Sequence, residues 1–136
     1  MGTSKIRGIV SGAYCGNPLG CAVAHAAIEH LLDHNISANV TQMGRLALDC
    51  MSNWMQSFPE HIVGFRGSGL LLAIEFPDEK FAGRITDKCL AKNLFVRQTQ
   101  GNLIRIFPAI NIGPEEMEAG LGIIEATLGA VTKELS

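Results

Sequence analysis

Charge is scarce in this chain. Only 18% of its 136 residues are charged, and the net balance is −2. A nucleic-acid or polyanion partner calls for a basic face, so that class is set aside. Long apolar runs are also missing: none reaches the roughly 18 residues that would cross a bilayer. Met1 leads into Gly2, Thr3 and Ser4 with no leader-type apolar stretch behind them, which makes the cytoplasm the expected compartment. There is no C-x-x-C pair among Cys15, Cys21, Cys50 and Cys89. A mostly apolar chain of this length has little need of disulfides. Cys21, Cys50 and Cys89 fall inside apolar helical patterns and are expected to be buried thiols. What the sequence does have is hydrophobic residues, 47% of the total, enough for one globular core.

The periodicity sets out eight elements. Asn17 can cap a helix, and Pro18 suits its first position because no backbone donor is needed there. That helix, 18–34, is apolar nearly all round in its first half and expects neighbours on several sides. A second helix from about residue 36 to Phe58 puts Val40, Met43, Ala47, Cys50, Trp54 and Phe58 on one face, and Pro59 stops it. A strand at 62–66, a turn at Gly67-Ser68-Gly69 and a strand at 70–76 read as a hairpin. Asp78 can cap a third helix that ends at Asn93, a residue suited to a left-handed cap. Strands at 94–97 and 103–107 follow, joined through Gly101-Asn102. The last helix opens at Pro114-Glu115-Glu116, with both carboxylates at the positive end of its dipole. Its core face is Met117, Leu121, Ile124, Leu128, Val131 and Leu135. The order predicts an α+β fold: a small, mostly antiparallel sheet with helices packed on one face, preceded by a long apolar helix.

Few residues point to chemistry. His30 and His34 lie four apart on one helix face, a spacing that suits two metal ligands. No H-E-x-x-H and no third ligand accompany them, so no metal site is expected. His25 and Glu29 read as a helix-face pair. The G-x-G of Arg66-Gly67-Ser68-Gly69 leads into a strand and not a helix, so it reads as a tight turn and not a phosphate cradle. Arg105 interrupts the apolar strand Leu103-Ile104-Arg105-Ile106-Phe107. An arginine there either meets a carboxylate, which its planar fork fits, or packs its stem and sends its head to water. The glycine-rich run Gly12-Ala13-Tyr14-Cys15-Gly16 enters a helix N-terminus, either as a set of donors for an anion or as an ordinary capped turn.

Four segments taken together resemble the class-III aminotransferases, fold-type-I enzymes that use pyridoxal phosphate. Tyr14-Cys15-Gly16-Asn17-Pro18-Leu19-Gly20-Cys21-Ala22-Val23-Ala24 is similar to that family's T-[FY]-x-G-N-P-L-A-C-A-x-A motif. Arg66 to Glu75 resembles its R-G-x-G-L-x-x-x-I-E hairpin. Asn102 to Ile110 resembles its N-x-[IL]-R-x-x-P-P-[LI] strand, and the Pro114-Glu115-Glu116-Met117 helix start also fits. The matches occur in the family's order over nearly the whole chain.

The resemblance implies a division of the chain. Residues 1–16 would be a lead-in from the end of the large domain, 17–35 a connecting helix, and 36–136 the small C-terminal domain that closes over substrate. It implies a substrate-binding role for Arg105, toward a substrate carboxylate or a nearby glutamate. It also implies a cofactor-phosphate loop at Gly12, Ala13 and Tyr14, reaching the neighbouring subunit of a dimer. The substrates implied are a small amino acid or amine and a 2-oxo acid.

Two departures bear on activity. The family's threonine is replaced by Ala13, and no lysine stands where the Schiff-base lysine would be; Lys5 lies too close to the first motif. Without that bond there is no transamination. The expectation is therefore a C-terminal domain of such an enzyme, with no catalytic residue of its own, binding no pyridoxal phosphate as an isolated chain and forming a homo-oligomer. The alternative is a stand-alone α+β binding or assembly module without catalysis.

Overall fold

The computed structural model describes residue 12 and residues 15–135. The chain divides into two units, Met1–Asn35 and Ile36–Ser136. In the first unit, the Asn17 side chain accepts a 2.7 Å hydrogen bond from the Gly20 amide and Pro18 opens α1, Pro18–Asp33. This cap satisfies one of the amide donors that a helix start leaves without a partner. His25 and Glu29 pair across one turn at 3.1 Å. His34 turns its Nδ1 to within 3.0 Å of the His30 carbonyl oxygen, and Asn35 ends the helix at a φ of 46°. Within its own unit α1 buries none of its residues, and Leu19, Val23 and Leu32 are exposed. Cys21 is exposed with them and Cys50 is half-buried, so of the three thiols expected in a core only Cys89 is buried.

In the second unit, α2 (Ile36–Ser57) buries Met43, Ala47, Met51 and Trp54 at steps of three and four. Val40, Cys50 and Phe58 flank this face half-buried. The first hairpin, β1 (Gly64–Ser68) and β2 (Leu71–Glu75), begins two residues later than the periodicity suggests and turns at Gly69-Leu70. The reason is local. Gly69 takes a φ of +56°, the positive value that a tight two-residue hairpin turn needs at its first central position. Gly67 and Ser68 thus stay in the strand. A Cβ on Gly44 would lie 2.5 Å from the Gly69 carbonyl oxygen, so α2 can approach the turn this closely only with glycine at 44.

Asp78 caps α3 (Glu79–Ala91) through the Phe81 amide at 2.8 Å. Asn93 then adopts a φ of 62°. The next strand, β3 (Arg97–Thr99), starts later than the 94–97 expected from composition. The Leu94 amide is committed to the Cys89 carbonyl at 2.9 Å and belongs to the helix end. On the partner strand, Pro108 follows closely and has no amide to offer a longer ladder. β4 (Leu103–Ile106) leads through a loop into α4 (Pro114–Leu135). The Asn39 side chain on α2 holds that loop by donating to the carbonyls of Ile110 and Ile112 at 3.0 and 3.1 Å.

The four strands form one antiparallel sheet in the order β1-β2-β4-β3. α2 and α3 lie on the sheet and α4 packs against both helices. Leu72, Ile74, Ile104 and Ile106 point into the core with Phe76, Phe81, Ile85, Leu121, Ile124 and Leu128. This is the α+β architecture that the element order implied, with one face of the sheet covered. No helix among the described residues is long and apolar enough to cross a membrane.

Candidate functional site

Side chains alternate across a sheet, so burying Leu72, Ile74, Ile104 and Ile106 sends their neighbours to the other face. The register then places Arg66 opposite Ala73, Ala73 opposite Arg105, and Arg105 opposite Arg97. Three arginines and one alanine thus form a single row across the uncovered face. All three arginines are exposed. Arg66 is paired: its Nη1 donates to Glu75 Oε2 at 3.1 Å. Arg97 and Arg105 have no hydrogen-bond or ion-pair partner among the described residues. Of the two alternatives for Arg105, its head reaches solvent. Beside it, Arg66, Gly67, Ser68, Leu71 and Ala73 join Arg105 around a concavity of about 340 Å³. Ala73, the smallest side chain in the row, leaves that space open.

The row is held from behind. Gln98, on the opposite side of β3 from Arg97, donates through Nε2 to the Glu79 carbonyl at 3.0 Å and so ties the strand to α3. Asn102 donates its side-chain amide to the Phe76 carbonyl at 2.8 Å and accepts the Phe76 amide on its own carbonyl at 3.0 Å. These bonds lock the β3–β4 turn to the end of β2. Gln100 and Gly101 supply the turn itself at φ values of 52° and 77°. Along the strands from the arginines, exposed Leu71, Phe95 and Phe107 edge the same face.

Arg97 was not singled out by the sequence. The signal that could have found it is the turn: once Gln100-Gly101-Asn102 fixes the hairpin, Arg97 and Arg105 become cross-strand partners.

The other sequence candidates lie elsewhere. Ala13 and Tyr14 fall outside the described residues. Gly12 makes a bend whose carbonyl accepts the Cys15 amide at 3.0 Å. That amide is therefore spent, the Gly20 amide is spent on Asn17, and residue 13 carries no hydroxyl.

His25 and His30 sit on α1 and His34 caps its C-terminus, and no group of three or more His, Cys, Asp or Glu side chains among the described residues is arranged to hold a metal. The Cys89 thiol is pushed up from its ordinary pKa by burial, against smaller opposing effects of Thr127 and Lys92. Cys50 is pushed up by burial and by the carboxylates of Glu125, Asp49 and Glu118. Both environments disfavour a nucleophilic thiolate.

Comparison with known proteins gives this geometry a family. Residues 2–128 match the family described as aminotransferase class-III. The chain is similar to the mitochondrial ornithine aminotransferase of Drosophila melanogaster, 34% identical over 116 residues that make up 85% of this chain and 26% of that protein. It is similar to the mitochondrial acetylornithine aminotransferase of Debaryomyces hansenii, 28% identical over 121 residues, 89% of this chain and 26% of that one. Among solved structures, an ornithine aminotransferase from Toxoplasma gondii, whose active site has partial occupancy of pyridoxal phosphate, superposes with a TM-score of 0.84 at 28% identity. It covers 94% of this chain and 31% of that one. The chain spans about a quarter of the length of the curated relatives it matches. With nearly its whole length matched, it belongs to the class-III aminotransferase family.

Proposed function

We propose that this chain is the C-terminal, substrate-closing part of a class-III aminotransferase, an enzyme that moves an amino group from an amino acid or amine to a 2-oxo acid. The observation that carries this reading is Arg105, exposed and without a described partner at the centre of the uncovered sheet face. A guanidinium fork matches a carboxylate, and amino acids and 2-oxo acids share that group. In this reading residues 17–35 connect the two parts of the enzyme and 36–136 form the small domain. Arg105 holds the substrate carboxylate, Glu75 keeps Arg66 occupied, and Leu71, Phe95 and Phe107 meet the surface that closes against this face.

Transfer of the amino group is assigned to the whole enzyme and not to these 136 residues. The described lysines, Lys80, Lys88, Lys92 and Lys133, belong to α3, its C-terminal cap and α4, away from the arginine row. Lys88 donates to Glu134 at 2.7 Å and Lys92 to Thr127 at 3.1 Å. The same exposed apolar side chains favour a second reading, an assembly module that kept the fold without the catalysis; in both readings the chain forms a homo-oligomer.

The test uses the 136-residue polypeptide with added pyridoxal phosphate, an amino donor and a 2-oxo acid. The expected result is no turnover and no borohydride-reducible adduct at a single lysine. Titration with butyrate is expected to shift the amide resonances of β4, and Arg105→Gln to abolish the shift. Sedimentation of the same sample is expected to give a mass above that of one chain. Turnover with a stoichiometric lysine adduct would overturn the first part, and an unchanged β4 the second.

A further inference from the structure

The ladder between β3 and β4 ends at the Arg97–Arg105 pair. Beyond it, the Leu94 amide is committed to Cys89 and Pro108 has no amide to give. The two segments leave the ladder there, and a cavity of about 130 Å³ opens between them and α4. Its inner wall belongs to the core: Val96, Ile106, Met117, Leu121 and Ile124 are buried. Gly120 keeps the α4 side open, since a Cβ there would meet only Leu94 Cδ1, at an ordinary 3.8 Å. The mouth is different. Phe95 and Phe107 are 78% and 53% exposed, and Glu116 is exposed with them. Glu116 is the one charged residue that lines the cavity, and its carboxylate has no hydrogen-bond or ion-pair partner among the described residues. An apolar cavity of about this size, lined by Leu, Ile and Phe, takes a benzene-sized group. A carboxylate near aromatic rings attracts a cation, the first by its charge and the second by their negative faces.

We infer that this cavity is a binding site for a small hydrophobic organic cation, with its apolar group against Leu121 and Ile124 and its positive end at Glu116. Walls that are almost wholly apolar, with one polar group to fix orientation, are the usual construction of a small-molecule site. The occupant is a free small molecule and not a peptide. An extended chain needs backbone partners along its length, and Pro108 beside the mouth supplies no amide. The site is separate from the arginine row. Neither Arg105 nor Ala73 lines it, and its charge preference is the opposite one. An acid of the same shape is repelled by Glu116, and a neutral molecule of the same shape loses the contact at the mouth.

The test compares benzylammonium with benzyl alcohol at pH 7 and low salt, on the full chain. Amide shifts locate each probe, and calorimetry gives its affinity. Benzylammonium is expected to shift the amides of Val96, Gly120 and Leu121. It is expected to bind on the order of tenfold more tightly than the alcohol, the worth of one solvent-screened charge contact together with a cation–π contact. Glu116→Gln is expected to bring the two probes within about twofold of each other. Glu115→Gln, an exposed carboxylate of the same helical turn that does not line the cavity, leaves the preference in place. Gly120→Leu fills the cavity and is expected to abolish binding of both probes, with an unchanged circular-dichroism spectrum showing that the chain is folded. If Gly120→Leu does not fold, Glu116→Gln decides alone, because an exposed Glu-to-Gln change leaves the core intact. Equal affinity for the two probes in wild type, shifts confined to residues outside the cavity, or a preference that survives Glu116→Gln would overturn the inference. So would binding by a folded Gly120→Leu chain. None of these outcomes bears on the Arg105 reading, which is decided by butyrate at β4.

Discussion

On one face of the sheet, Leu72, Ile74, Ile104 and Ile106 are buried with α2 and α3 against them. On the other, Arg66, Ala73, Arg105 and Arg97 form a row beside exposed Leu71, Phe95 and Phe107. The two faces alternate residue by residue along the same strands. Ile104 is 2% exposed, and Arg105, its neighbour in the chain, is open to solvent. Burial explains the first face completely: apolar area leaves water, and the side chains interlock with the helices. It explains nothing on the second, where three large apolar side chains and two charges without a partner among the described residues face solvent. An apolar edge of this kind on a globular domain marks a surface that meets something else. Stability is concentrated on one face, and the recognition proposed above for Arg105 falls on the other.

The contrast can be broken most directly at Ile104. Ile104→Ala removes core volume beneath α2 and α3 and is expected to cost about 2–5 kcal/mol of unfolding free energy in urea denaturation. A cost below about 1 kcal/mol would mean that the covered face does not hold the domain together. Next comes Gly44, where α2 meets the first hairpin. Its added Cβ would fall 2.5 Å from the Gly69 carbonyl oxygen, a backbone atom that cannot swing aside. Gly44→Ala is expected to cost about 1–3 kcal/mol by the same measurement. A neutral result would show that the turn is free to move. The smallest effect belongs to Arg105. Arg105→Leu is expected to change stability by less than about 1 kcal/mol, as for an exposed charge without a partner. A loss of several kcal/mol would instead reveal a buried pair and dissolve the difference between the faces.

The sequence showed the covered face better than the open one, and the reason is periodicity. Helical burial repeats every three or four residues, and Met117, Leu121, Ile124, Leu128 and Val131 follow that spacing along α4. Such a pattern is visible without knowing any partner. The strands were legible as strands but not to the residue. Where β1 ends depends on the positive φ of Gly69, and where β3 begins depends on the Leu94 amide reaching back to Cys89. Arg105 stood out because it broke an apolar run. Arg97 did not, because its meaning lies in the register with a partner strand and in the fastening of Gln98 behind it. The exposed state of Cys21 was misread for a related reason. An apolar helical stretch shows that a helix is made to be covered, but not that the cover lies within the same stretch of chain.

The central pairing of the sheet has a consequence for how this surface comes into being. β1 with β2 and β3 with β4 are hairpins, joined by short turns and able to form early from local contacts. β2 with β4 is different, because α3 and β3 lie between them in the chain. Such non-local contacts carry a larger closure entropy and form more slowly. Arg97 and Arg105 come together within one hairpin, and Arg66 with its Glu75 counter-charge arrives with the other. Only the closing of the β2–β4 seam sets Ala73 between them. A folding intermediate with both hairpins formed and the seam open would already hold the arginine pair but not the concavity beside it, so ligand binding would report on completion of the slowest step in the assembly of the sheet.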